Sequence, residues 1–203
     1  KTPHRTDFVR QISFGSVCTT HCQGLPRGYI KQVDSRHRRR VRRLANSQER
    51  VPASMEFAIA RRNMVESQLR TNRVTTPRIL EAMGEIPRER FIPAAKCAVA
   101  YVDEDIPIGS GRYIMEPMVL GRLLEAAAVQ VGDIALVVGC GTGYSAAVLA
   151  KLASTVFALE SNRKLSTWAA AELTNLALDN AVVIEGRVDR GYPDQSPYDV
   201  ILV

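Results

Sequence analysis

The chain is short of the residues that carry metal and disulfide chemistry. Its 203 residues include three histidines and four cysteines, Cys18, Cys22, Cys97 and Cys140. No two cysteines form a C-x-x-C pair. That spacing argues against a disulfide framework and for a reducing compartment, so a cytoplasmic protein is expected. Cys18 and Cys22 flank His21, with His37 as a further candidate, but the spacing fits no common zinc pattern, and no metal is expected. Long apolar runs are also missing. Nothing approaches the ~20 residues of a membrane span, and the first residues hold no apolar stretch of the length a secretory leader needs.

Acidic residues are scarce in one place only. Residues 1–54 contain 12 of the 27 Lys/Arg and 3 of the 21 Asp/Glu, which leaves 15 against 18 in residues 55–203. The formal net charge of +6 therefore belongs to the first quarter of the chain. The remainder is mildly acidic and gives no electrostatic case for nucleic acid. Residues 1–54 show no sustained apolar period. Their one charge run, Arg36-His-Arg-Arg-Arg-Val-Arg-Arg43, reads as a solvated tail, with a nucleic-acid arm or a targeting signal as the alternative. Met55 opens a well-patterned segment. Residues 1–54 are thus expected to be a disordered or non-native extension, and 55–203 the domain.

Within that domain the stretch Ala135-Leu-Val-Val-Gly-Cys-Gly-Thr-Gly-Tyr144 runs from an apolar segment into glycines, and Ser145-Ala-Ala-Val-Leu-Ala-Lys-Leu152 then reads as a helix. Strand, glycine turn and helix in that order make a nucleotide-type cofactor site, because glycine lets the backbone turn sharply against a ligand. Gly139, Gly141 and Gly143 give G-x-G-x-G. A dinucleotide fingerprint needs a glycine at position 144, which is Tyr144. The spacing suits S-adenosylmethionine, which has no pyrophosphate to cradle. A ribose-binding acid is then due at the end of the next strand, and Thr155-Val-Phe-Ala-Leu-Glu160 ends in one, at the expected ~20-residue offset. The expected cofactor-binding residues are Gly139, Cys140, Gly141, Thr142, Gly143, Tyr144 and Glu160.

Elsewhere the patterning predicts a helix from Met55 through Leu69. A second helix should start at Thr75-Thr-Pro77, with Thr76 as its cap. Asp103-Glu-Asp105 reads as a solvated acidic turn and Ile106-Pro-Ile-Gly-Ser-Gly111 as a loop. Helices are expected at 118–129 and 163–178, and further strands at 181–185 and 198–203. The alternation from residue 134 onward predicts a doubly wound, mainly parallel α/β sheet. Residues 55–130 would supply an N-terminal helical segment and 131–203 the cofactor-binding part.

Several segments resemble one known family in order and spacing: Met64-Val-Glu-Ser-Gln-Leu69, Arg78-Ile-Leu-Glu-Ala-Met83, Ile86-Pro-Arg-Glu-Arg-Phe-Ile-Pro93, Ala100-Tyr101, Ile106-Pro-Ile-Gly109 and Gly139-Cys-Gly-Thr-Gly-Tyr144, continued by Glu160 and Pro197-Tyr-Asp-Val-Ile-Leu-Val203. They look like the protein-L-isoaspartate O-methyltransferases, and the resemblance covers roughly residues 55–203. It implies the Rossmann-like methyltransferase fold with S-adenosylmethionine as cofactor. The implied reaction is methylation of the isoaspartyl carboxylate in damaged proteins, a repair activity of a cytoplasmic enzyme, here taken as a monomer.

The resemblance also marks departures. The family's substrate loop carries a serine where this chain has Met115, a threonine where it has Tyr113 and a histidine where it has Ser110. A thioether cannot donate a hydrogen bond to a carboxylate, so the catalytic residue is left unassigned, with Ser110 and Tyr113 as loop contributors. Glu116 adds a negative charge to that loop if it points inward. Val137 replaces an acid in the strand before the glycines, and Arg187 replaces one after the third strand. The family sheet has seven strands and this chain supplies four. The fourth is expected to be a bare apolar edge, and the domain to be incomplete at its C-terminus. These departures argue against assuming activity. The alternatives are a methyltransferase-fold protein with another substrate, since fold does not fix function, or a non-catalytic binding protein with a nucleic-acid-binding tail.

Overall fold

The computed structural model describes residues 10–12 and 53–203. The chain divides into one unit of residues 1–13 and 57–203 and a second of 14–56. Of the second unit only 53–56, a first helical turn, is described. The Arg36–Arg43 run and the Cys18, His21 and Cys22 group lie outside the described residues.

The first described element is strand β1, Arg10–Ile12. Helix α1, Ala53–Met64, follows. The single helix expected through Leu69 instead changes pitch. A π-helical turn spans Val65–Leu69, a 3-10 turn spans Arg70–Asn72, and the segment stops at Arg73 in the left-handed conformation. The widened turn keeps Val65 and Leu69 buried.

Helix α2, Pro77–Glu85, buries Ile79, Leu80, Ala82 and Met83, the one-sided stripe its sequence predicts. Thr76 does not cap it through its side chain. Its hydroxyl instead donates to Glu125 Oε1 at 3.0 Å, as that of Thr75 does at 2.9 Å, and both backbone N–H groups reach Glu125 Oε2. A carboxylate from a distant helix offers stronger acceptors than the local hydroxyl.

Two further corrections concern residues 103–114. The segment read as a loop is a hairpin, with β2 at Ile106–Gly109 and β3 at Arg112–Ile114. Its turn places Gly109, Ser110 and Gly111 all at positive φ. The acidic turn before it is not simply solvated. Asp105 Oδ1 accepts from Glu116 N at 3.0 Å and Asp103 Oδ1 from Met118 N at 3.1 Å. These carboxylates satisfy N–H groups at the start of helix α3, Pro117–Ala127.

From residue 134 the chain alternates as predicted: β4 at Ile134–Val138, helix α4 at Tyr144–Ala150, β5 at Thr155–Glu160, helix α5 at Arg163–Asn175, β6 at Ala181–Glu185 and β7 at Val200–Leu202. Asn162 caps α5, its side chain accepting from Lys164 N and Leu165 N. The sheet order is β1-β7-β4-β5-β6, and every pairing is parallel. The expectation of a bare edge at the fourth strand is therefore wrong. β1 pairs with β7 in the register Arg10 to Val200, Gln11 to Ile201 and Ile12 to Leu202. Three residues carry no readable period, so nothing in the sequence announced that strand.

One sheet face, with Ala135, Val137, Val156, Ala158, Val200 and Leu202, packs into a core shared with all the described helices from α2 to α5. The other face carries Leu136 and Leu159, closed over by Tyr198, with Phe157, Ile184 and Ile201 half-buried around them. Among the described residues no helix is long and apolar enough to cross a membrane, and no three His, Cys, Asp or Glu side chains gather as a metal site.

Candidate cofactor and substrate site

The glycine loop leaves β4 and enters α4 with Gly139, Gly141 and Gly143 at φ of 74°, 57° and 96°. Two of these positions are also closely packed. A Cβ on Gly141 would stand 2.8 Å from Ile108 Cδ1, and one on Gly143 would stand 2.9 Å from Ala169 Cβ. The loop is thus held between the hairpin and α5. Gly139 N and Cys140 N both donate to Leu159 O, at 2.8 and 3.1 Å, which ties its start to β5.

Glu160 closes the same arrangement. It is fully buried, and its Oε2 accepts from Gly141 N at 2.9 Å. Its Oε1 accepts from Asn162 N at 2.9 Å and from Ser161 Oγ at 3.4 Å. Arg112 of β3 reaches in from above, its Nη2 3.4 Å from Glu160 Oε1 and 3.3 Å from Ser161 Oγ. The acid that the sequence pairs with the loop by spacing is in direct contact with its middle glycine. Arg112 and Ser161 were not foreseen, and no local signal marks either.

A cavity opens beside the loop. Its walls include Tyr113 and Met115 from the hairpin side and Gly139, Cys140, Thr142 and Tyr144 from the loop side. Substrate loop and glycine loop, separate in sequence, therefore face one space. Met115 is half-buried and Tyr113 largely exposed. Ser110 sits at the hairpin tip with φ 54°, exposed and away from the cavity wall. Glu116 is also absent from that wall. Burial first, then the negative charges of Asp103, Asp105 and Glu104, raises its pKa.

The other expected residues take structural positions. The Thr142 hydroxyl is buried and donates to Phe91 O at 2.7 Å. Tyr144 stacks edge-on against Phe91, with ring centroids 5.6 Å apart, and lies under the Arg88 guanidinium at 4.9 Å. Arg88 is wholly buried, and donates from Nε to Ala100 O and from Nη2 to Met115 O, both at 2.8 Å. It fixes the backbone of the residue that stands at the family's serine position. Burial, helped by the charge of Glu160, pushes the Cys140 thiol up to about 12. Cys140 is thus a neutral wall residue and not a nucleophile. Val137 is buried in β4. Arg187 turns outward into a fork with Asp189, at 3.0 and 2.6 Å.

A parallel sheet with a glycine turn after its central strand, and an acid at the tip of the next, defines a Rossmann-like methyltransferase fold. The comparisons narrow that class. The family model for protein-L-isoaspartate(D-aspartate) O-methyltransferase (PCMT) matches residues 60–203, and the chain belongs to that family. It is 43% identical over 147 residues to a protein-L-isoaspartate O-methyltransferase of Koribacter versatilis (strain Ellin345), covering 72% of this chain and 66% of that one. It is 41% identical over 151 residues to one from Synechococcus sp. (strain JA-2-3B'a(2-13)), covering 74% and 62%. The chain thus spans about three fifths to two thirds of the curated relatives it matches.

Among solved structures, a protein-L-isoaspartate O-methyltransferase superposes with a TM-score of 0.63 at 28% identity, covering 70% of this chain and 47% of the other. A structure from Plasmodium falciparum in complex with S-adenosyl-L-homocysteine gives 0.56 at 20% identity, over 70% and 71%, a likeness of fold.

Proposed function

We propose that this protein methylates the carboxylate of isoaspartyl residues in damaged proteins, with S-adenosylmethionine as methyl donor, acting as a monomer in the cytoplasm. One observation carries the reading. The buried Glu160 carboxylate is tied to the Gly139–Gly143 loop by the 2.9 Å bond from Gly141 N, and that loop walls a cavity together with Tyr113 and Met115.

The donor set fits this cofactor. Glu160 has only acceptor oxygens, as ribose hydroxyls require. The loop presents Gly139, which has no side chain, to the cavity beside Cys140 and Thr142. When bound, S-adenosylmethionine supplies a methyl group on a sulfonium, which is an electrophilic carbon. The acceptor carboxylate has a pKa near 4 and is already an anion at neutral pH, so the chain need supply no base. Its task is alignment, and proximity with orientation can lower such a barrier by ~7–11 kcal/mol at best.

Tyr113, Met115 and Tyr144 line the side of the cavity that would face the acceptor. Arg88 holds the Met115 carbonyl and with it the loop path. Met115 cannot donate to the substrate, so the donors along this cavity include backbone N–H groups and the hydroxyls of Tyr113, Tyr144 and Ser145.

Calorimetric titration with S-adenosylmethionine, followed by an assay of tritiated methyl transfer to an isoaspartyl peptide and its aspartyl counterpart, tests the proposal. Saturable binding, weakened by the isosteric Glu160→Gln, and methylation of the isoaspartyl peptide alone are expected. Cofactor binding without transfer to the isoaspartyl peptide would overturn the substrate assignment.

A further inference from the structure

The hairpin β2–β3 meets the glycine loop at two points. Ile108 Cδ1 lies 2.8 Å from the Cβ position of Gly141, and Arg112 Nη1 lies 3.8 Å from that of Gly139. From the second point the Arg112 guanidinium extends to Glu160. The carboxylate of Glu160 is otherwise bonded from behind, by Gly141 N, Asn162 N and the neighbouring Ser161 hydroxyl. Among the described residues Arg112 is the one partner that arrives from the hairpin side, and its side chain is a third exposed while Glu160 is not exposed at all. The contact is long for an ion pair, at 3.4 Å.

From this arrangement we infer that Arg112 is an affinity-setting residue of the cofactor site, a guanidinium that competes with the cofactor's ribose hydroxyls for Glu160 Oε1. The inference rests on the reading of Glu160 as the ribose acceptor. A carboxylate oxygen has about two lone-pair directions. Those of Oε1 are already shared among Asn162 N, Ser161 Oγ and Arg112 Nη2. A vicinal diol that hydrogen-bonds to this oxygen contends with Arg112 for its lone pairs. The guanidinium can leave, because Arg112 is part-exposed, has no carboxylate contact besides Glu160 among the described residues, and lies beside the hairpin turn, opposite Gly109. Its departure costs the protein a part-exposed ion pair and turns Arg112 toward solvent. Cofactor affinity is set by the difference, and a neutral residue at 112 removes the competitor.

The test is calorimetric titration of the full chain, of Arg112→Gln, of Glu160→Gln and of the double variant, with S-adenosylmethionine and with S-adenosylhomocysteine. Arg112→Gln is expected to bind both ligands about threefold more tightly, the scale of one part-exposed ion pair. The gain is expected to vanish in the Glu160→Gln background. S-adenosylhomocysteine lacks the sulfonium charge, so a gain confined to S-adenosylmethionine would mean general charge repulsion and overturn the inference. Unchanged or weaker binding of both ligands by Arg112→Gln, with the parent chain binding normally, would overturn it too. Absence of binding by a parent chain that unfolds cooperatively would instead remove the reading of Glu160 on which the inference stands, and the inference with it.

Discussion

Replacing Gly143 with alanine should be among the most damaging single-methyl changes in this protein. Two costs combine. Gly143 has φ 96°, where a Cβ-bearing residue pays about 1 kcal/mol or more in backbone strain. The new methyl would also stand 2.9 Å from Ala169 Cβ and 3.3 Å from Ala169 Cα. The second neighbour is backbone, so the helix α5 must move as a body, and overpacking of that kind costs about 1–3 kcal/mol. The sum is about 2–4 kcal/mol, a large part of a typical domain stability of about 5–15 kcal/mol.

Gly111→Ala is the matched control. Its φ is 70° and nothing lies within 4 Å of the added Cβ, so only the strain of about 1 kcal/mol applies. Urea unfolding followed by fluorescence reports both changes. Trp168, the sole tryptophan, adjoins Ala169 in α5 and donates from Nε1 to Arg90 O at 3.2 Å. If Gly143→Ala costs no more than Gly111→Ala, the steric argument fails, and the loop is not clamped against α5.

Glu125 gives a pH prediction. Burial pushes its carboxyl up, but the bonds from Thr76 and Thr75 outweigh that and hold its pKa below the usual range. The stability it adds is then fully present above the ordinary glutamate value of ~4.3 and is lost as pH falls through the lower folded value. Glu125→Ala should flatten that acid limb in thermal melts and lower stability by about 1 kcal/mol at neutral pH; an unchanged acid limb would refute the assignment. Cys140, with its thiol pushed up to about 12 by burial, should resist iodoacetamide at pH 8 in the folded chain and react once the chain is unfolded. Peptide mass spectrometry after labelling reads this, and rapid native labelling would contradict the buried, neutral thiol.

The glycine loop, its strand and Glu160 were legible in the sequence because they obey local rules: a turn that needs positive φ, an apolar run, and an acid at a fixed offset. The contact between Gly141 N and Glu160 follows directly from that offset. Arg112 was not legible, since its meeting with Glu160 depends on a hairpin folding back over the loop. The hairpin itself was hidden by Pro107 and by strands of three and four residues, too short to show alternation. Thr76 misled for a related reason. Its capping competence is local, but Glu125, 49 positions away, offered two charged oxygens instead. Proximity along the chain is what a single sequence encodes best, and each of these misses involves a partner brought in by tertiary packing.

The pairing of β1 with β7 joins the two ends of the described chain through only three residue pairs. Such a contact closes a very long loop for a small return, and long closures are entropically the least favoured step in assembling a sheet. β1 is therefore the strand that docks last and departs first. The β7 backbone amides that face it should exchange with solvent through a shallow local opening, while those facing β4 wait for a deeper one. One three-residue strand would then show two exchange regimes on its two edges, a boundary between the part of this sheet that is permanently folded and the part that is only intermittently so.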